Sequence, residues 1–260
     1  MVTPKKSLGQ NFLMHPQIAE KIVREANVPE GVAILEIGPG TGMLTRVLLD
    51  AGYRVTAVEA DWELVLGLRE TFADAIASDA LTLVHGDIRS FDLAALAERY
   101  ALIANIPYYI TGEIMRAFLT TAHKPVSMTL LVQKEVAERI ARSTGKESLL
   151  SLSVKAFGTP RYCFTVTKGA FRPAPKVDSA VISIQYIRRD AFETPEAERA
   201  FFDLIRMGFA HKRKLLRGNL AAAYGAERVK EAFRQAGLPE KVRSEDLSLA
   251  NWQSLAQSLA

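Results

Sequence analysis

Cysteine is almost absent from this chain, since Cys163 is the only one among 260 residues. A single cysteine cannot form an intramolecular disulfide, and it disfavours a zinc site built from cysteine thiolates. Small disulfide-stabilised secreted proteins are therefore excluded as a class, and the composition favours a cytoplasmic protein. Histidine is also scarce, with four residues in the chain. We interpret His85 as a structural residue, and we predict no metal site.

Long hydrophobic runs are missing as well. No apolar stretch reaches the roughly 18 residues that a membrane-spanning helix needs, so we expect no membrane partner. The N-terminal sequence MVTPKKSLGQNF lacks the apolar core of a secretory signal. The remaining composition, 48% hydrophobic and 24% charged residues, is that of an ordinary globular protein. The chain is long enough for one large domain or two smaller ones.

Positive charge is concentrated late in the chain. From Arg188 onward there are 13 lysines and arginines against 10 acidic residues, which accounts for +3 of the overall net charge of +4. Within this segment Lys212, Arg213, Lys214 and Arg217 form a basic cluster that suits the phosphates of a nucleic acid. The alternative is a solvated helix face. The late concentration of charge favours contact with RNA.

Short apolar strands alternate with helices over the first half of the chain. The pattern predicts strands at residues 32–37, 53–58, 81–84, 101–104 and 126–132, and helices at 16–26, 42–51, 64–77 and 114–121. Such alternation is typical of a doubly wound α/β fold, in which helices cover both faces of a mostly parallel sheet. Two later strands, at 161–167 and 177–187, are expected to form an antiparallel pair at one edge of the sheet.

The pattern becomes helical near the C-terminus. Thr194 is a suitable N-cap, and Pro195 then occupies the first helical position. Breaks at Gly225 and Gly237 and a cap at Ser248 predict three more helices. We place a domain boundary near residue 190, which divides the chain into residues 1–190 and a small all-helical domain of residues 191–260.

A glycine-rich turn, GPGTG at residues 38–42, follows the first predicted strand of the sheet. Glycine is needed where the backbone must approach a ligand closely. The spacing is G-x-G-x-G, which does not match the G-x-G-x-x-G of dinucleotide-binding proteins. Glu36 comes just before the turn and would be unfavourable beside a pyrophosphate. It suits S-adenosylmethionine better, because that nucleoside has no phosphate and carries positive sulfonium and ammonium groups.

Two further acidic residues follow the next two strands. Glu59 ends the second strand, where a carboxylate can accept hydrogen bonds from both ribose hydroxyls. Asp87 ends the third, where it can accept one from the amino group of the cofactor adenine. A glycine turn alone would indicate only a tight turn. Glycines together with acidic residues at three consecutive strand ends predict a nucleoside ligand, and Gly38, Gly40, Glu59 and Asp87 are the candidate cofactor residues.

The fourth strand ends in Asn105, Ile106, Pro107 and Tyr108, the most specific motif in the sequence. The exocyclic nitrogen of adenine is a poor nucleophile because its lone pair is delocalised into the ring. An asparagine oxygen and a backbone carbonyl, held by proline, can both accept from that amino group and make it more nucleophilic. Tyr108 can stack on a target base that has left its helix. An ordinary turn is the alternative for an Asn-x-Pro-Tyr sequence.

These motifs together resemble the rRNA adenine N6-dimethyltransferase family, in particular its small-subunit (16S-type) branch. The resemblance spans the whole chain and is carried by residues 6–13 (KSLGQNFL), 35–42 (LEIGPGTG), 58–59 (VE), 86–87 (GD), 105–110 (NIPYYI), 133–139 (QKEVAER) and 171–181 (FRPAPKVDSAV). It implies a Rossmann-like class I methyltransferase, in which residues 1–190 bind S-adenosylmethionine and catalyse the reaction. Residues 191–260, with a helix expected at 213–220, would recognise RNA.

The resemblance also implies roles for individual residues. Asn11 and Leu13 would close an N-terminal arm over the cofactor, and Asn105 would contact both the cofactor and the target. Tyr108 would stack on one face of the target adenine and Phe171 on the other. For Phe171 the alternative is a core residue beneath the sheet edge.

The resemblance implies a substrate and a partner as well. The family methylates two adjacent adenosines in the 3′-terminal hairpin of small-subunit rRNA, on an assembling ribosomal subunit. We expect the protein to act as a monomer.

Three other functions share part of this pattern. A large-subunit rRNA methyltransferase of the macrolide-resistance type has the same glycine turn and the same Asn-x-Pro-Tyr motif, but residues 6–13 and 171–181 favour the small-subunit enzyme. Some mitochondrial transcription factors keep this fold and bind DNA without catalysis, and the complete cofactor set disfavours that function. A nicotinamide dehydrogenase is disfavoured by the glycine spacing.

Overall fold

The computed structural model describes residues 4–5, 8–142, 146–211 and 213–259. The chain divides into two compact units, Met1–Ala137 with Thr159–Ile187, and Glu138–Gly158 with Arg188–Ala260. The last junction therefore lies close to the predicted boundary at residue 190. The grouping of Glu138–Gly158 with the C-terminal helices differs from the prediction, which kept all of residues 1–190 together. None of the helices described is both long enough and apolar enough to cross a membrane.

The strands lie in the first unit. In chain order they are β1 (Phe12–Leu13), β2 (Ala33–Ile37), β3 (Val55–Glu59), β4 (Leu81–His85), β5 (Tyr100–Asn105), β6 (Ser127–Gln133), β7 (Thr159–Val166), β8 (Phe171–Arg172) and β9 (Ser179–Gln185). β1 and β8 form a short antiparallel ribbon, and the other seven form one sheet in the order β4-β3-β2-β5-β6-β9-β7.

The helices follow the predicted alternation closely. They are α1 (Pro16–Ala26), α2 (Met43–Asp50), α3 (Trp62–Thr71), α4 (Ala73–Ala77), α5 (Thr111–Thr120), α6 (Lys134–Ala141), α7 (Leu149–Phe157), α8 (Pro195–Gly208), α9 (Leu216–Tyr224), α10 (Ala226–Gln235) and α11 (Leu249–Leu259). The single helix predicted at 64–77 is instead α3 and α4, which meet at the buried Phe72. α6 and α7 had no counterpart in the sequence prediction.

The main sheet has the predicted doubly wound form. β2 to β6 are parallel, because β2 pairs with β3 on one side and β5 on the other, β3 pairs with β4, and β5 pairs with β6. β9 and β7 extend the sheet as the expected antiparallel edge pair. The strand order reverses between β2 and β5. In open α/β sheets, ligands bind outside the carboxyl ends of the strands at this kind of reversal.

The second unit is a helical bundle with an aromatic core. Phe157 of α7 stacks on Phe202 of α8, with ring centroids 5.7 Å apart. Gly208, at the end of α8, lies so close to Trp252 that a Cβ atom there would be 2.3 Å from the indole ring. The predicted cap of α8 is confirmed, because the Thr194 hydroxyl accepts a hydrogen bond from the Ala197 amide at 3.1 Å.

Candidate active site

A cleft opens at the carboxyl ends of β2, β3 and β5 in the first unit, and it is continuous with solvent. Its empty space is about 1160 Å³, a volume that includes the part open to solvent. The residues predicted from the sequence to bind cofactor or target mostly line it: Asn11, Leu13, Gly38, Gly40, Glu59, Asp87, Asn105, Ile106, Pro107 and Tyr108. Phe171, which was predicted to face the target base, does not belong to this lining.

The glycine turn forms one wall of the cleft through its backbone. Gly40 has a φ of +62° and Gly42 a φ of +82°, a conformation that side chains disfavour. A Cβ at Gly40 would lie 3.0 Å from the ring of Phe12, and one at Gly42 would lie 2.5 Å from Phe72. Glycine is therefore required both by the backbone conformation and by the packing on either side of the turn.

Glu59 joins the end of β3 to the glycine turn. Its carboxylate accepts hydrogen bonds from the Gly40 amide at 3.1 Å and from the Asp61 amide at 2.9 Å. Only 5% of the residue is exposed. Burial raises the pKa of Glu59, and the two backbone hydrogen bonds partly oppose that shift. The carboxylate is thus held in one orientation, and each oxygen keeps a further lone pair for a hydroxyl donor.

Glu36, at the end of β2, is more deeply buried. It is 1% exposed and accepts a hydrogen bond from the Thr45 hydroxyl at 2.7 Å. Burial raises its pKa to about 8, and the nearby charge of Glu59 acts in the same direction. A positive ligand charge close to these two carboxyl groups would lower their pKa values, so the base of the cleft is better suited to a cation than to a phosphate.

Asp87, beyond the end of β4, is held by a neighbour that the sequence analysis missed. Arg89 bonds both carboxylate oxygens of Asp87, from Nε at 3.0 Å and from a terminal nitrogen at 2.5 Å. The Arg89 backbone amide adds a third contact at 2.9 Å. These hydrogen bonds hold the pKa of Asp87 below its usual value, so Asp87 presents a carboxylate to the cleft as an acceptor.

The N-terminal arm lies along the cleft and is tied to the sheet at several points. Lys5 Nζ donates to one oxygen of Asp61 at 2.6 Å, and Gln10 Nε2 donates to the other at 2.9 Å. Burial would raise the pKa of Asp61, but the bonds from Lys5 and Gln10 outweigh it and lower that pKa. Asp61 also donates its amide to Glu59, so one residue connects the arm to the predicted ribose carboxylate. The only sequence signal for this role was an acidic N-cap in front of α3.

The Asn-x-Pro-Tyr motif directly follows β5 at the rim of the cleft. Asn105 Nδ2 donates to the backbone oxygen of Asn11 at 3.1 Å, which orients the side-chain amide. Asn105 lines the cleft, and among the described residues no donor is bonded to its amide oxygen, which is therefore an available acceptor. The Tyr108 hydroxyl is bonded to the Ser179 hydroxyl at 2.5 Å, which fixes its half-buried ring.

Phe171 is positioned differently from the prediction. It is fully buried, it belongs to the hydrophobic core that also contains Leu13 and Val166, and it pairs with Leu13 in the β1–β8 ribbon. In this position the ring is not exposed to the cleft. The structure therefore favours the core position that was the alternative, and the stacking role stays a prediction.

The basic cluster lies in the second unit and is only partly helical. Arg213 and Lys214 are exposed and precede α9, which begins at Leu216 and not at residue 213 as predicted. Arg217 lies within α9 and forms an ion pair with Glu240 at 3.2 Å. Lys212, the remaining member of the cluster, lies outside the described residues.

Comparison with known proteins places the chain in a family. The model of the ribosomal RNA adenine dimethylase family matches residues 1–260. The chain belongs to this family. Proteins named ribosomal RNA small subunit methyltransferase A are similar to it in sequence. One from Dehalococcoides mccartyi is 38% identical over 96% of this chain and 87% of its own length. One from Deinococcus radiodurans is 38% identical over 98% of this chain and 86% of its own length.

Solved structures agree with the fold. The 23S rRNA methyltransferase ErmE has a TM-score of 0.78 and is 25% identical, over 96% of this chain and 99% of its own. A dimethyladenosine transferase from Plasmodium falciparum has a TM-score of 0.76 and is 23% identical, over 94% of this chain and 95% of its own. The predicted family, the Rossmann-like methyltransferase fold and the methyltransferase class of enzyme are thus confirmed. The roles of the individual cleft residues stay predictions.

Proposed function

We propose that this enzyme transfers methyl groups from S-adenosylmethionine to the exocyclic nitrogen of adenine in small-subunit rRNA. The observation that carries the proposal is the oriented amide of Asn105, a cleft-lining residue whose nitrogen donates to the Asn11 backbone oxygen and whose oxygen has no donor among the described residues. The names of the relatives, small subunit methyltransferases, support the substrate.

The residues of the cleft fit S-adenosylmethionine chemically. The glycine turn gives backbone access to the methionine part. Glu59 and Glu36 belong to the same lining, where a cationic group of the cofactor would favour their ionised forms and be stabilised by them. Glu59 and Asp87 supply acceptors for the ribose hydroxyls and for the adenine amino group. The same acidic lining is unfavourable for a pyrophosphate, which disfavours a nicotinamide cofactor.

The chain's own residues would act on the target adenine. The oxygen of Asn105 and the backbone carbonyl of Ile106 would accept hydrogen bonds from its amino group and so localise the nitrogen lone pair. Pro107 restricts the backbone between those two acceptors and Tyr108, whose ring would stack on the base. The cofactor supplies an already activated methyl group, so positioning contributes most of the catalysis and no strong base is needed.

The proposal extends to the RNA. The target would be two adjacent adenosines in the 3′-terminal hairpin, each dimethylated on an assembling subunit. The exposed side chains of Arg213 and Lys214 would contact RNA phosphates. Arg217 would also bind a phosphate, in exchange for its ion pair with Glu240. Activity as a monomer stays a prediction.

A labelling experiment tests the substrate. The enzyme is incubated with radiolabelled S-adenosylmethionine and with immature small subunits, large subunits or duplex DNA. We expect label in the small subunits, at adenine, with four methyl groups per subunit at completion. Label in the large subunit alone would favour the macrolide-resistance type, and DNA binding without label would favour a transcription factor.

The Asn105→Ala variant tests the catalytic assignment. We expect methyl transfer to fall on the order of 100- to 1000-fold, as when a preorganised hydrogen-bonding group is removed from other enzymes. The variant should still fold and bind the subunit, because most of the predicted RNA contacts lie elsewhere. Circular dichroism and a subunit-binding assay provide the controls. Turnover close to that of the unmodified enzyme would contradict the proposed role.

A further inference from the structure

Tyr109 is an exposed aromatic residue at the rim of the cleft that the proposed mechanism does not use. It is 63% exposed, although the Tyr108 ring beside it is half-buried and bonded to Ser179. Large hydrophobic residues are exposed at a few other positions in the described part of the chain, but Tyr109 alone among them lines the cleft. Its position therefore needs an explanation specific to this site.

The ring of Tyr109 packs against the N-terminal arm at Gly9. A Cβ atom at Gly9 would lie 3.2 Å from both Cδ1 and Cε1 of the ring, and Gly9 has a φ of +60°. The ring thus packs against the backbone of the N-terminal arm, at a position where a side chain would be crowded and its backbone conformation strained. The arm is itself joined to the motif, because Asn11 accepts a hydrogen bond from Asn105. One side of the ring is therefore supported, and the rest faces solvent.

The backbone of Tyr109 is equally constrained. Residues Tyr108–Ile110 form a single 3-10 turn, closed by a hydrogen bond from the Ile110 amide to the Pro107 oxygen at 3.2 Å, and α5 begins immediately after it. Tyr109 is thus kept at a constant distance from Asn105. An exposed ring that is already ordered loses little conformational entropy when a flat partner stacks on it.

The chemistry of the rim indicates the partner. Arg89 and Tyr109 both line the cleft, and Arg89 is bonded to Asp87, the predicted acceptor for the cofactor adenine. The acidic residues Glu36 and Glu59 are buried, where the cofactor is expected. A target base that leaves its RNA helix must pass the rim to enter the cleft. The adjacent nucleotide of the RNA remains outside, and one face of its base has then lost its stacking partner. Exposed aromatic rings bind such bases by stacking.

We propose that Tyr109 stacks on the nucleotide next to the target adenosine and thereby replaces the stacking that this nucleotide loses when the target enters the cleft. The inference rests on the proposed function, and it makes Tyr109 a determinant of RNA binding but not a catalytic residue. The partner is a base in an unpaired segment of RNA. If the two target adenosines are adjacent, that base is itself an adenine, which offers a large surface for stacking.

Substitutions at Tyr109 test the inference through RNA affinity. Tyr109→Ala should weaken binding of an RNA hairpin with two adjacent loop adenosines by roughly 5- to 100-fold, while Tyr109→Phe keeps the ring and should bind like the unmodified enzyme. Affinity is measured by fluorescence anisotropy, and cofactor affinity by calorimetry. Tyr186→Ala is the matched control, because Tyr186 is 81% exposed but does not line the cleft.

An abasic RNA separates stacking from other effects. Removing the base next to the target should weaken binding to the unmodified enzyme about as much as Tyr109→Ala does, and should have little further effect on that variant. Equal losses from the abasic change in both proteins would overturn the inference. So would a parallel loss of cofactor affinity in Tyr109→Ala, since the ring would then serve only to hold the arm.

The labelling assay with immature subunits distinguishes a failure of the stacking inference from a failure of the proposed function. If the unmodified enzyme labels small subunits but Tyr109→Ala retains its full affinity for the hairpin, only the stacking inference fails. If the unmodified enzyme labels no RNA at all, the proposed function fails and the inference fails with it.

Discussion

The cleft of the first unit and the basic cluster of the second hold their ionisable groups in opposite ways. In the cleft, Glu59 and Glu36 are buried, and their orientation is set by hydrogen bonds from backbone amides and a hydroxyl. In the cluster, Arg213 and Lys214 are exposed to solvent. Buried polar groups are costly to leave without partners, whereas solvated charges contribute little individually and are screened by salt. Replacing a single cleft residue should therefore have a large effect on stability or ligand binding. Replacing a single residue of the cluster should have a small one, because the cluster would bind RNA through its summed charge.

The largest expected effect concerns the core beside the cleft. Phe171→Ala should destabilise the protein by about 3–5 kcal/mol, because it leaves a cavity where a fully buried ring packs against Leu13. Urea unfolding measures the change, and the exposed Tyr186→Ala should shift stability by less than about 0.5 kcal/mol. Unchanged stability with a steep loss of methylation would instead restore the stacking role of Phe171.

A pH-dependent effect should come from Glu36. Its pKa is raised from 4.5 to about 8 in the folded protein, so between these values the folded state retains a proton that the unfolded state has lost. The contribution of Glu36 to stability is therefore fully present below about pH 4.5 and is lost as the pH rises to about 8. The loss is at most about 1.4 kcal/mol per pH unit.

The Glu36→Gln variant tests the predicted direction of this pH dependence of stability. Because glutamine does not titrate, the stability of the variant relative to the unmodified protein should increase from pH 5.5 to pH 8.5. Urea unfolding at several pH values provides the measurement. Parallel pH profiles for the two proteins would show that Glu36 has an ordinary pKa.

A smaller effect is expected on cofactor affinity. Glu59→Ala should weaken S-adenosylmethionine binding by roughly 1–3 kcal/mol, because a buried acceptor for two hydroxyls is lost. Glu59→Gln keeps one acceptor oxygen for the ribose and should lose less. Calorimetry gives both values. Unchanged affinity in Glu59→Ala would contradict the ribose assignment and limit Glu59 to holding the amides of Gly40 and Asp61.

The smallest effects at physiological salt should come from the basic cluster. Replacing Arg213 or Lys214 by alanine should reduce the slope of log affinity against log salt by about 0.7–0.9 for each phosphate that the variant no longer neutralises. Arg234→Ala is the control, because Arg234 is also exposed but is paired with Glu231 in α10. An identical slope for all three variants would favour the alternative of a solvated surface.

Much of the first unit followed from local sequence patterns. The alternation of apolar strands and helices predicted every strand of the main sheet, and the acidic residues after successive strands predicted the lining of the cleft. These predictions succeeded because parallel strands bring their carboxyl ends to one edge whatever their loops do. The helices α6 and α7 were missed, and α7 begins with a cap formed by Ser148 and Ser151 that is weaker as a sequence signal than a capping glutamate.

Periodicity and motif spacing were enough to establish the fold class, the family and the set of residues at the strand ends, because these patterns depend on near neighbours in the chain. Folding in three dimensions was needed to bury Phe171 against Leu13 and to bring Asp61 to Lys5 from 56 positions away. Such contacts depend on how separate segments approach one another. Tyr108 and Tyr109 are the same residue type in adjacent positions, and only packing made one ring half-buried and left the other open to solvent.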